Sequence, residues 1–196
     1  MKTLVKISKF IDSISERIGI LAEYLVLITF TVGFLNVVLR YSGRFFGFRL
    51  TSNLFIELQW YLYSLIFFFG FAYILKNNIN VRVDFWYAEL SPKKQALIDF
   101  VGHLIGLIPF CILGLTVTYS PVLRSWGLLP DGTWGTWEMS PDPSGLPRAP
   151  IKSMILVAFA LLLLQAISEM IKLVAILTDH EEEVELVIPD APLRIE

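Results

Sequence analysis

Four ionisable side chains stand inside otherwise apolar stretches of this chain: Glu23, Asp99, His103 and Glu169. Gln95, Asp99 and His103 follow one another at intervals of four, so on a helix they share one face; Gln165 and Glu169 repeat that spacing. Carboxylates and an imidazole in apolar surroundings can make a proton or cation site. They can equally make a structural polar layer, each carboxylate pairing with a cation such as Lys76, Arg82, Lys93, Lys94 or Lys172 or reaching out to water. All three carboxylates lie near the ends of their stretches, which favours the layer. A second group, Arg40 with Glu57 and Asn36, is spaced for an ion pair joining two neighbouring helices.

Other chemistry finds little support. No His/Cys/Asp/Glu grouping has metal-ligand spacing, and there is no Gly-rich phosphate loop and no set for nucleophilic catalysis. His103 and His180 do not supply paired axial ligands for a membrane haem. The lone Cys111 reads as a small hydrophobe in a helix. Neither an enzyme nor a cofactor is expected, and a net charge of −2 argues against nucleic acid.

The elements that must position these residues are membrane helices. Of 196 residues, 55% are hydrophobic, and they gather into runs too long for the core of a small soluble domain. The expected class is an all-α integral membrane protein with four transmembrane helices, near 18–39, 54–75, 96–119 and 153–171, preceded by an interfacial amphipathic helix over 1–17. Together 18–178 form one membrane domain, and 179–196 an acidic tail. The spread of Lys2, Lys6, Lys9 and Arg17, with no small-x-small site after the next apolar run, argues against a cleaved signal peptide. Ten Lys and Arg fall on the side of the termini and six on the other, which orients both termini toward the cytoplasm.

Local signals refine this outline. Ile7, Phe10, Ile11, Ile14 and Ile18 fall at helical spacing, so residues 1–17 either lie on the membrane surface or extend the first span. Ser91 and Pro92 suit the N-cap and first position of the third helix, and Pro109 predicts a kink within it. The loop over 120–152 carries six prolines with Trp126, Trp134 and Trp137, so it holds little regular structure. Its tryptophans suit a headgroup boundary or contact with a partner. Phe67, Phe68, Phe69 and Phe71 with Gly70, and Gly102 with Gly106, offer knobs and notches for packing on other helices. Ile79 to Phe85 alternates apolar and polar residues with a strand's period but has no evident strand to pair with. The middle of each span carries no charge, and no matched pair of broken helices is present, so this chain by itself has no place for a passing solute.

Several stretches carry a family likeness. The run "ELQWYLYSLIFFFGFAYILKNNINVRVDFWYAELSPKKQALID", residues 57 to 99, resembles the small membrane subunit of TRAP transporters, the DctQ-like family. The resemblance rests on Glu57 and Trp60, on Phe69-Gly70-Phe71-Ala72-Tyr73 and on Val81-Arg82-Val83-Asp84. "SPDPSGLPRAPIK", residues 140 to 152, resembles the outer loop of the branch labelled mannitol/chloroaromatic-type. Asn80 stands where the family often has His, which removes a titratable group from that segment.

The resemblance implies a non-translocating subunit in the bacterial inner membrane. It would brace a large membrane subunit during sodium-coupled uptake of a small organic acid, delivered by a periplasmic binding protein that the outer loop could touch. Glu57, Trp60, Gly70, Arg82 and Asp84 are then candidates for the subunit interface, with Arg82 and Asp84 on a segment lying along the membrane surface. A membrane anchor of a respiratory enzyme and a stand-alone four-helix transporter built around Glu23 are the alternatives.

Overall fold

The computed structural model describes residues 1–48, 50–79, 87 and 89–180. Among them the chain is helical, with helices α1 (Lys2–Phe46), α2 (Asn53–Lys76), α3 (Pro92–Gly102), α4 (Ile108–Ser125) and α5 (Arg148–Leu177). A five-residue π turn, His103–Leu107, joins α3 to α4, so that 92–125 forms one long rod. Four helices are thus long and apolar enough to cross a membrane.

Backbone chemistry explains where the helices stop. Each of the four rods ends in a residue with positive φ: Gly47, Asn78, Gly127 and Asp179. In each case the following amide donates to a carbonyl five residues back, as Phe48 does to Gly43 and Leu128 to Leu123. This is the Schellman closure, which satisfies the last carbonyls and demands a residue that tolerates the left-handed region. The start of α3 is less complete than its sequence suggests. Ser91 takes the N-cap position and Pro92 follows it, but the Ser91 hydroxyl makes no capping bond.

Pro109 acts through the turn before it. Proline lacks an N–H and its ring crowds the carbonyl four residues back. Here the helix widens over His103–Leu107, and Ile108 N–H reaches the His103 carbonyl five residues back. Such a bulge is one recognised way for a helix to bend. Pro121, expected in the loop, sits inside α4, and the helix continues to Ser125.

α1 is one uninterrupted helix of 45 residues. At 1.5 Å per residue it runs roughly 68 Å, more than twice the ~30 Å hydrocarbon core. A stretch as long as residues 2–17 therefore lies beyond the lipid tails, although no turn separates it from the span.

The chain divides into two compact units. The first comprises 1–17, 71–113 and 160–196. Its apolar centre is Leu75, Cys111, Leu162 and Ala166, ringed by Phe71, Leu107, Ile108 and Leu163. The second comprises 18–70 and 114–159. There α4 and α5 meet closely enough that a Cβ on Gly114 would stand 2.5 Å from the Phe159 ring. In both units many large apolar side chains point outward, among them Phe10, Phe30, Phe45 and Ile105. That is the pattern expected where lipid or another protein is the solvent.

Candidate functional site

In the first unit the functional groups come from α1 and α5. α1 offers Ser8, Asp12 and Ser15 at i, i+4, i+7, and α5 offers Gln165, Ser168, Glu169 and Lys172 at i, i+3, i+4, i+7. Both spacings put the side chains on one face. Lys172 Nζ bridges Asp12 Oδ2 at 2.8 Å and Glu169 Oε1 at 2.7 Å. Gln165 Nε2 donates to Asp12 Oδ1 and to Glu169 Oε1, both at 2.9 Å, while its Oε1 accepts from Ser15 Oγ at 2.6 Å. Ser168 Oγ donates to Asp12 Oδ1 at 2.7 Å and lies 2.7 Å from Ser8 Oγ. Gln165 and Ser168 are wholly buried, and Ser8, Ser15, Glu169 and Lys172 nearly so.

The small serines let the two backbones approach, and the ionic triad fixes their register. A hydrogen bond between membrane helices contributes only about 0.6 kcal/mol on average. Removing one partner of a buried ion pair costs about 3–5 kcal/mol. The triad is therefore what holds the register, and the hydroxyls refine it. Beside it, Lys76 is hydrogen-bonded to Glu16. Asp12, Lys172, Lys76 and Glu16 all line one open cleft of about 480 Å³.

This arrangement rearranges the expected polar groups. Glu169 does pair with Lys172, but it also accepts from Gln165 and shares Lys172 with Asp12. Asp99 and His103 belong to a separate group: Tyr87 Oη donates to Asp99 Oδ2 at 2.7 Å, Gln95 Nε2 to the Tyr87 carbonyl at 2.9 Å, and His103 Nδ1 lies 2.7 Å from the Asp99 carbonyl. Glu23 falls in the other unit, on an exposed position.

Residues 1–17 present two faces. Ile11 is buried, but Ile7 and Phe10 point outward, and Ser8 and Ser15 take the inward positions. Asp12 and the two serines were missed because their face is polar, and only a polar partner face makes it an inside.

In the second unit the equivalent centre is Glu57. Asn53, Glu57 and Tyr61, at i, i+4, i+8 on α2, all reach the loop before α5. Glu57 accepts from Ser140 Oγ and from Leu146 N–H. Tyr61 Oη donates to the Pro147 carbonyl at 2.7 Å, and Asn53 Nδ2 to the Pro143 carbonyl at 3.4 Å. Gly145 is required: a Cβ there would lie 2.4 Å from Ser140 Cβ and 2.9 Å from Glu57 Oε1. The expected ion pair of Glu57 with Arg40 does not form, because Glu57 turns to the loop instead. The three-residue face on α2 was a legible signal for this clamp.

A second carboxylate secures the same loop. Glu138 Oε2 accepts from Lys152 Nζ and, at 2.7 Å, from Ser125 Oγ. The Lys152 bond, then the Ser125 bond, hold its carboxyl below the ordinary carboxylate range. Trp126 donates to Ser153 Oγ at 2.7 Å and packs edge-on against Trp137 at 4.6 Å, so it serves the loop's own structure, whereas Trp134 and Trp137 remain exposed.

Of the interface candidates, Trp60 is exposed beside Tyr61, and Gly70 is half-buried. Arg82 and Asp84, with the rest of the alternating segment after Ile79, lie outside the described residues. Gly102 and Gly106 face open space. Among the described residues no group of three or more His, Cys, Asp or Glu side chains is arranged to hold a metal ion.

Four apolar rods with outward-facing hydrophobes and an internal ionic seam define a multi-pass, all-α membrane protein. Residues 29–175 match the family model described as Tripartite ATP-independent periplasmic transporters, DctQ component, and the chain belongs to that family of TRAP transporter small membrane components. No curated protein and no solved structure matches the chain.

Proposed function

We propose that this chain is the non-translocating small subunit of a TRAP-type secondary transporter. It braces the large membrane subunit during sodium-coupled uptake of a small organic acid delivered by a periplasmic binding protein. It lies in the bacterial inner membrane with both termini in the cytoplasm, as the ten-to-six bias of Lys and Arg supports. The family match over residues 29–175 carries this reading.

The bracing role draws further support from how polar groups are used. Among the described residues of the first unit, the buried polar groups are engaged with one another: Gln165, Ser168, Glu169 and Lys172 close a network with Asp12. Such a network stiffens helices and leaves little to bind a travelling solute. Trp60, Gly70, Arg82 and Asp84 remain the proposed contacts with the large subunit, while Glu57 acts through the loop it holds.

The test is reconstitution. With the large subunit and binding protein present, liposomes should accumulate organic acid in a sodium-dependent, saturable way; this chain by itself should give none. Saturable sodium-linked accumulation by the purified chain would overturn the reading. In the three-part system, Arg82→Ala with Asp84→Ala should weaken copurification of the two membrane subunits.

A further inference from the structure

The cleft beside the ionic seam has a property the seam does not explain. Its walls carry Lys9, Arg17, Lys76 and Lys172, with Ser8 and Ser13 between them. Two of these cations are committed, Lys76 to Glu16 and Lys172 to Asp12 and Glu169. Lys9 and Arg17 are exposed, and among the described residues neither takes part in an ion pair. Asp12 and Glu16 also line the cleft, yet even with Glu169 counted behind Lys172 positive charge stays in excess.

The cleft holds about 480 Å³, within the ~300–1,000 Å³ of small-molecule sites. Next to it, an apolar groove of about 300 Å³ is lined by Leu4, Phe100, Ile167, Met170, Ile171 and Val174. Ile171 borders both. A cationic, hydroxyl-bearing recess adjoining an apolar groove matches one ligand chemistry: a phosphate headgroup attached to an acyl chain.

We propose that this cleft binds the headgroup of an anionic phospholipid, with Lys9 and Arg17 contacting the phosphate and Ser13 at its edge. Arg supplies a planar fork suited to two phosphate oxygens, and Lys a mobile point charge. Basic recesses between membrane helices are recognised sites for such headgroups. The bound lipid then fixes residues 2–17 at the membrane surface, a job the continuous helix cannot do by turning.

The test uses the full chain in nanodiscs containing phosphatidylethanolamine with or without phosphatidylglycerol, followed by native mass spectrometry of retained lipid. The wild type should retain phosphatidylglycerol in preference to phosphatidylethanolamine. Lys9→Gln with Arg17→Gln should lower that preference by about 10-fold or more, given the loss of two surface cations. Lys2→Gln with Lys6→Gln, on the same helix but outside the cleft, should leave it unchanged. An equal loss in both double variants would overturn the site in favour of diffuse attraction. Displacement of the lipid by millimolar inorganic phosphate would overturn it in favour of a soluble anion. Circular dichroism of each variant separates lost binding from lost fold.

Discussion

The two units each organise their helices around carboxylates, but they neutralise them differently. In the first, Asp12 and Glu169 share the ammonium of Lys172 in a nearly dry seam. In the second, Glu57 is held by neutral donors, a serine hydroxyl and a backbone amide of the loop. A carboxylate closed in among helices needs a counter-charge, because its desolvation is too large for dipoles alone. One that faces a loop can be satisfied by amides the loop would otherwise leave unpaired. The first arrangement fixes helix register; the second fixes where a proline-rich loop sits.

The comparison breaks most visibly at Lys172. Lys172→Met leaves the buried Glu169 and the half-buried Asp12 without their counter-charge and should destabilise the chain by about 3–5 kcal/mol, measured as a lowered thermal midpoint in detergent. Adding Glu169→Gln should recover part of the loss. If the single variant melts like wild type, the seam is not what holds α1 to α5.

On the loop side, Gly145→Ala forces a methyl into Ser140 and the Glu57 carboxylate. A loss of about 1–3 kcal/mol is expected, as for other overpacked sites. Protease cleavage within 126–147 should rise with it. Unchanged cleavage would mean the loop does not depend on the clamp.

Ser8→Ala sharpens the first unit, since it removes one hydroxyl contact with Ser168 while keeping the close approach. The effect should be near 0.6 kcal/mol. A loss as large as that of Lys172→Met would show that the hydroxyls, not the charges, set the register.

The smallest effect is expected from acid on the loop. Glu138 is held below the ordinary carboxylate range by Lys152 and Ser125, and Asp131 by the side chain and amide of Thr133. Depressed carboxyls stabilise the folded loop fully above the ordinary range, and that contribution fades as pH falls through their lowered values. Fluorescence of the Trp126–Trp137 pair should report the change, and Lys152→Met should move it to higher pH. A profile identical in that variant would remove Lys152 as the cause.

Much of the architecture could be read from residues alone. Four apolar runs, each near the length that crosses a bilayer, leave few alternatives. Their exact ends were less legible. Leu, Phe and polar residues alike continue a helix beyond the lipid boundary, as Pro121 does in α4 and as residues 148–152 do in α5, and the stops at Asn78 and Asp179 depend on a backbone twist that many residues could share. Pro109 signals a kink, but the π turn that absorbs the proline is one among several backbone solutions. For the site, Glu169 and Lys172 were visible as a pair at i, i+3. Asp12 was not, because it stands 157 residues away in sequence on a face that looks solvated.

By itself, then, the sequence determined that this protein spans a membrane four times and leaves its span centres free of charge, because hydrophobic run length and composition are local properties. Only the tertiary structure decided which polar face was an inside: that Ser8, Asp12 and Ser15 meet Gln165, Ser168 and Lys172, and that Glu57 turns to the loop and away from Arg40. A polar residue's environment is set by what packs on it, and no local pattern encodes the partner.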